Sequence, residues 1–261
     1  MAKDHKTLLS DEILQFLYKN ASIQGLGNTE QQQLLERYGQ DENFVEIMEI
    51  SMSLQEIIQE VEATMPKMRE KECLLSLERQ KHLLKERSVV EGNVYFVPFN
   101  EVENVYSPMI VLMQQSETLK ACETFCKGTI TPFFHLCATQ KRDLIIIPFS
   151  KTVQEPMIFK KGLLQLALFD RFINEYMDNE ATIVPAIEQV LAIFNEDTAC
   201  NERDVIIITD NLFSDYQSLI QEDYAARFEK LDIDISVIAM SEINFETQPI
   251  PFAQKVYFAN E

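Results

Sequence analysis

Four short apolar runs recur through the second half of the chain and constrain its fold more than any other feature. They cover residues 109–113, 143–148, 204–209 and 232–240. Each is almost continuously apolar, as a strand buried on both faces of a parallel sheet must be. Helical patterns lie between them, at 117–139, 162–177, 184–194 and 214–231. This alternation predicts a doubly wound α/β domain with a mostly parallel sheet.

Two details refine this prediction. The segment Ser214-Asp-Tyr-Gln217 has the spacing of a capping box, which predicts that the last helix begins there. The segment from Gln254 to Phe258 is predicted to be a last strand, with no room for a helix after it.

The first ninety residues carry apolar side chains at helical spacing instead. The longest such pattern runs from Asn43 to Thr64 and is ended by Pro66, and another covers 67–87. We therefore predict an all-α N-terminal domain over residues 1–92, a linker or connecting strand over 93–106 and an α/β domain over 107–261. The apolar stripe is typical of a small helical bundle, and a groove for a partner is the alternative.

Composition limits the classes of partner. The formal net charge is −19, and residues 1–100 and 101–261 are both acidic, so nucleic acid and anionic membranes are not expected to bind. No stretch reaches the roughly 18 apolar residues of a membrane span. No secretory signal is expected at the start, because its short apolar run is broken off by acids. The five cysteines are scattered without a CxxC pair. We expect a cytoplasmic protein that binds other proteins.

Oxygen-bearing side chains follow the apolar runs. In an open α/β sheet, ligands bind where loops leave the carboxyl ends of the strands. Gln114-Gln-Ser116-Glu-Thr118 follows the first run, Thr209-Asp210-Asn211 ends the third, and Thr182 precedes a predicted helix.

This order resembles the von Willebrand factor A (VWA) domain. That family holds Mg²⁺ or Mn²⁺ in a metal-ion-dependent adhesion site (MIDAS), with Asp-x-Ser-x-Ser after the first strand, a later Thr, and an Asp in Thr-Asp-Gly. The resemblance places Gln114 at the first Asp, Ser116 and Thr118 at the two serines, Thr182 at the Thr and Asp210 at the last Asp.

Within the family, the chain is most similar to the CoxE-like and ViaA-like branch. The similar runs are Asp143–Ser150, Ala181–Ile187 and Ile208–Asp210. The resemblance implies a VWA or Rossmann-like fold. It also implies a non-enzymatic adaptor or regulator that works with a MoxR-type AAA+ ATPase, or with the client of that ATPase, in protein assembly or remodelling.

The first ligand position departs from the family, which makes this a degenerate MIDAS. With Gln114 there, Asp210 is the only matched anion, although Mg²⁺ relies on one or two carboxylates. Two hypotheses follow: a weak Mg²⁺ or Mn²⁺ site that a partner's carboxylate completes, or a hydrogen-bonded polar surface without metal. Compensating charge is available from Glu117, Glu180 and Asp215. The predicted contact surface consists of Gln114, Ser116, Thr118, Thr182, Asp210 and Asn211.

Catalysis is not expected. The three histidines, His5, His82 and His135, are not in patterns typical of nucleophilic hydrolysis, and no phosphate-binding GxxxxGK[ST] loop is present. We therefore predict no catalytic residues. The alternative is a flavodoxin-like or receiver-like signalling domain with Asp210 as phosphoryl acceptor. That function requires a second acidic cluster after the first strand, which Met113-Gln-Gln-Ser116 does not supply.

Overall fold

The computed structural model describes residues 29, 33, 37–38, 41–64, 106–177, 179–197 and 203–259. Its centre is a six-stranded sheet in the order β3-β2-β1-β4-β5-β6. All neighbouring strands are parallel except β2 and β3. This confirms the doubly wound, mostly parallel α/β fold. The strands are β1 Met109–Gln114, β2 Leu144–Phe149, β3 Met157–Phe159, β4 Arg203–Thr209, β5 Ile233–Ala239 and β6 Lys255–Phe258.

Helices connect the strands and cover the sheet. The described α-helices are α1 Glu42–Thr64, α2 Glu123–Gln140, α3 Leu166–Asn174, α4 Val184–Glu196, α5 Tyr216–Gln221, α6 Tyr224–Lys230 and α7 Glu242–Thr247. Short 3₁₀ helices precede α2 and α3, at Glu117–Cys122 and Lys160–Gly162. No helix in these described ranges is long and apolar enough to cross a membrane.

The alternation of side chains along the strands builds two apolar layers. In β1, Met109, Val111 and Met113 face the layer that contains residues of α1, α2 and α3. Ile110 and Leu112 face the opposite layer, with residues of α4, α5 and α6. Full burial of one such side chain contributes about 1.5–3 kcal/mol. The near-continuous apolar runs of the sequence therefore follow from a sheet that is covered on both faces.

Residues at the start of α1 belong to the same compact unit as the described residues from Tyr106 onward. Phe44, Ile47 and Met48 are buried in one cluster with Phe134 and Phe169. A second unit covers residues 53–104, and the structure describes its residues 53–64, which form the end of α1. The predicted helix at 67–87 lies outside the described residues, as does nearly all of the predicted linker. The division into the segments 1–92, 93–106 and 107–261 stays a prediction.

Several local predictions need correction. The helix expected over 214–231 is two helices, α5 and α6, because α5 ends at Gln221 and Asp223 caps the start of α6 by accepting from the backbone N–H of Ala226. The predicted capping box is wrong, since the hydroxyl of Ser214 donates to the carbonyl of Ala181. The helix expected over 162–177 is the shorter α3. The first turns of the helix expected from residue 117 are 3₁₀. Strand β3 and helix α7 were not predicted.

Candidate functional site

The predicted site lies where the sheet reverses its strand order. Strands β1 and β4 are neighbours at the centre, and the chain proceeds from them toward opposite edges of the sheet. Such a switch point leaves a crevice outside the carboxyl ends of the two strands. Gln114 is the last residue of β1, Thr209 is the last residue of β4, and Asp210 follows it. The fold therefore brings together loops that are about 95 residues apart in the sequence.

The carboxamide of Gln114 joins these loops through all of its hydrogen-bonding groups. Its Nε2 donates to Oγ of Ser116 over 2.9 Å and to Oδ1 of Asp210 over 2.7 Å. Its Oε1 accepts from the Thr209 hydroxyl and, over 3.3 Å, from the backbone N–H of Asp210. A glutamine amide offers two donors and two acceptor lone pairs, so Gln114 is fully satisfied. These partners also fix which way the amide points, because the carboxylate requires a donor.

Asp210 is the acceptor at the centre of the network. Its Oδ1 also accepts from the backbone N–H of Leu212 over 3.0 Å, and its Oδ2 accepts from the Thr118 hydroxyl. The hydroxyls of Ser116 and Thr118 are 2.8 Å apart and hydrogen-bonded to each other. Asp210 is 4% exposed, so its charge is held by neutral donors in a nearly dry environment.

Asn211 shapes the loop after β4. Its φ of 62° lies in the left-handed region, which asparagine tolerates better than most residues other than glycine. Its backbone N–H donates to Oγ1 of Thr209 over 2.8 Å, and its Nδ2 donates to the carbonyl of Gln248 over 3.0 Å. Oε1 of Gln248 accepts from the N–H of Phe213 over 3.2 Å. Gln248, which the sequence did not indicate, therefore holds this loop from a distant segment.

Thr182 is the one predicted ligand that does not enter the network in the described residues. Its Oγ1 donates to the carbonyls of Ser150 and Lys151, over 3.1 and 3.2 Å. Asp215, considered as a source of compensating charge, accepts from the backbone N–H groups of Ile183 and Val184 at the start of α4. Both side chains position loops. The Asp215 carboxylate is also stabilised by the partial positive charge at the N-terminal end of α4.

The side chains in this arrangement do not fit a divalent cation. Mg²⁺ requires near-octahedral oxygen ligands. Here the oxygens of Ser116, Thr118 and Asp210 are engaged with one another and with Nε2 of Gln114. Asp210 is the only carboxylate of the network, and no group of three His, Cys, Asp or Glu suited to a metal occurs in the described ranges. The amide nitrogen, a donor, lies against the oxygens that a cation would attract.

A cleft of about 310 Å³ opens beside this network. Ser116, Glu117 and Thr118 line it from the loop after β1. The other lining residues are Asn179, Glu180 and Ala181 before α4, Leu212, Phe213 and Ser214 after β4, and Gln248. Gln114, Asp210 and Asn211 are buried and are not among the lining residues. They organise the loops, whereas the exposed lining residues are available for contact, namely Glu117, Thr118, Asn179, Glu180, Leu212 and Ser214.

The segment before Asn179 is tied to the end of β1. Gln115 donates to the carbonyl of Glu175 over 3.4 Å and accepts from the N–H of Met177 over 3.1 Å. The Tyr176 hydroxyl donates to the carbonyl of Ser116 over 2.7 Å. Buried Lys127 donates to the carbonyl of Ile173 over 2.6 Å at the end of α3. Burial lowers the pKa of Lys127, and its ion pair with Glu123 opposes that change.

Comparison with known proteins gives structural likenesses alone. No protein-family model matches the sequence, and no curated protein sequence matches it significantly. Among solved structures, the SpRpn10 VWA domain is 13% identical, with a TM-score of 0.44 over 59% of this chain and 88% of that one. Manganese-loaded Plasmodium vivax TRAP protein is 13% identical, with a TM-score of 0.46 over 60% and 69% of the two chains.

A third likeness is to a von Willebrand factor type A structure from Catenulispora acidiphila. It is 8% identical, with a TM-score of 0.38 over 60% of this chain and 39% of that one. The fold assignment rests on the order and direction of the strands rather than on these low scores.

Proposed function

We propose that the domain is a non-enzymatic, VWA-type protein-interaction module of the CoxE-like or ViaA-like branch that works without a metal in its degenerate MIDAS. The observation that carries this proposal is the pair of hydrogen bonds from Nε2 of Gln114 to Ser116 and Asp210. A neutral amide here connects the two loops without a divalent cation. The loops are then already held in position when a partner arrives, which lowers the entropic cost of binding.

The contact surface in this proposal is the rim of the cleft. The rim combines an exposed apolar side chain, Leu212, with the polar or charged side chains of Glu117, Thr118 and Glu180. An apolar centre with a polar surround is the usual composition of a protein interface. The buried residues Gln114 and Asp210 would act on binding only through the loops that they hold.

The proposed partner is a MoxR-type AAA+ ATPase, for which the domain would be an adaptor or regulator. Support for this partner comes from the resemblance of the sequence to the CoxE-like and ViaA-like branch. Phosphoryl acceptance by Asp210, the alternative, gains no support from the geometry, because both carboxylate oxygens accept hydrogen bonds inside a buried network.

The test is a binding measurement with purified components. A MoxR-type ATPase encoded in the same genome is titrated with the full chain in the presence of ATP, with Mg²⁺ present in both arms for the nucleotide. Leu212→Lys places a positive charge on the cleft, and Ile220→Lys is the matched control because Ile220 is similarly exposed but does not line the cleft. We expect at least tenfold weaker binding for Leu212→Lys alone. Equal affinities of the two variants would reject the cleft as the contact.

A further inference from the structure

We infer that the cleft beside Gln114 accepts a cationic side chain, lysine or arginine, from the protein partner. This inference rests on the proposed function and adds the chemistry of the partner. A divalent cation in such a site would attract a carboxylate from a partner. With the neutral amide of Gln114 in place of that charge, the preference for an acidic ligand has no physical basis.

The charged side chains that line the cleft in the described part of the chain have one sign. Glu117 and Glu180 line it and are exposed, and neither is in an ion pair among the residues that the structure describes. No lysine or arginine is among the described residues that line the cleft. Beneath it, the carboxylate of Asp210 is hydrogen-bonded by neutral groups only. Three carboxylates with no lysine or arginine among the described lining residues produce a negative potential, which a low-dielectric cleft strengthens.

The walls and size of the cleft suit a long cationic side chain. Leu212 is apolar, lines the cleft and is exposed, so it can pack on the methylene groups of lysine or arginine, whose charged end remains near polar groups. Thr118 and Asn179 add oxygen acceptors for N–H donors. A volume of about 310 Å³ is at the lower end of the range for ligand pockets, which favours a single inserted side chain over a large ligand.

The experiment uses short peptides on the full chain. Acetyl-Gly-Gly-X-Gly-Gly-amide, with X as arginine, lysine, glutamate or norleucine, is titrated into ¹⁵N-labelled protein while the backbone amide signals of Ala181, Leu212 and Phe213 are followed. We expect saturable shifts with arginine and lysine, at least tenfold weaker binding of the norleucine and glutamate peptides, and weaker binding as salt is raised.

Variants that remove the negative charges test whether the preference for a cationic side chain arises in the cleft. Glu117→Gln combined with Glu180→Gln should weaken the arginine peptide at least tenfold. Glu222→Gln, at an exposed acid that does not line the cleft, should not change its affinity. Preferred binding of the glutamate peptide, unchanged affinity in the double variant, or no saturable shift with any peptide would each overturn the inference. If binding to the ATPase still depends on Leu212 in that case, the proposed function stands without the cationic ligand.

Discussion

Nε2 of Gln114 donates a hydrogen bond over 2.7 Å to Oδ1 of Asp210 and thereby joins the end of β1 to the loop after β4. The same nitrogen reaches Ser116, which the resemblance assigns as a metal ligand. A hydrogen bond to a charged group contributes about 1.5–3 kcal/mol, and more is lost when a buried partner is left unsatisfied. These two hydrogen bonds therefore hold the loops after β1 and β4 together without a cation.

Asp210→Asn should destabilise the fold. An asparagine has one acceptor oxygen where the carboxylate has two. Its NH₂ group must therefore take the place of Oδ1, against the donors of Gln114 and Leu212, or of Oδ2, against the hydroxyl of Thr118. In either orientation a donor faces a donor. We expect a loss of about 1–3 kcal/mol in the free energy of unfolding, measured by urea denaturation. Glu180→Gln, at an exposed position, is the control and should change stability by less than about 0.5 kcal/mol. Equal stability of the two variants would contradict the network.

Gly128→Ala tests the packing of α1 on α2. A Cβ at this position would lie 2.7 Å from Cγ2 of Ile50 and 3.1 Å from the carbonyl oxygen of Ile47. Alanine normally favours a helix by about 1 kcal/mol over glycine. Overpacking should reverse that gain, with a net loss of about 1–3 kcal/mol in chemical denaturation.

A second substitution makes this test specific. Ile50→Ala removes Cγ2, the atom nearest to the added methyl group, and leaves Cβ at 2.8 Å, so part of the loss caused by Gly128→Ala should be relieved in the Ile50→Ala background. A stabilising effect of Gly128→Ala, or identical losses in both backgrounds, would show that residues 41–52 do not pack there.

Alkaline pH should weaken the fold from about pH 9. Burial raises the pKa of the Cys126 and Cys137 thiols to about 12, from the ordinary value of 9.0. Above pH 9 the unfolded chain loses these protons while the folded chain keeps them, so stability falls as pH rises from 9 toward 12. Each thiol contributes a slope of about 1.4 kcal/mol per pH unit.

The matching variant removes both thiols. Cys126→Ala combined with Cys137→Ala should reduce the dependence of the unfolding free energy on pH, measured between pH 8 and pH 10.5 at several urea concentrations. Some dependence should remain, because burial also raises the pKa of Tyr224 to about 12. An unchanged slope in the double variant would contradict the assignment to the two cysteines.

The sequence predicted those features that depend on local pattern. Runs such as Ile145–Ile147 are apolar throughout because both faces of β2 are covered, and the pattern alone located the strand. The three-residue strand β3 gave no such signal, since Ile158 is exposed and three residues are too few to show a regular apolar pattern. The break between α5 and α6 was missed because one polar interruption is compatible with a single amphipathic helix.

The residues of the site also fall into those that the sequence predicted and those that it did not. Order along the chain placed Gln114, Ser116, Thr118 and Asp210 together, because the carboxyl ends of adjacent parallel strands meet at one edge. The hydrogen bonds of Thr182 and the contribution of Gln248 depend on how distant loops lie against one another. No spacing rule links Gln248 to Asn211, since tertiary packing alone brings them into contact.

The central claim is that the amide of Gln114 takes the place of a cation. Thermal unfolding of the full chain, Gln114→Asp and Gln114→Asn with and without Mn²⁺ tests it most directly, because a bound ion raises the melting temperature. Aspartate restores a second carboxylate, and asparagine has the same size without the charge. We predict that Mn²⁺ raises the melting temperature of Gln114→Asp alone. A Mn²⁺-dependent increase in the unmodified chain, equal to that of Gln114→Asp, would contradict the account.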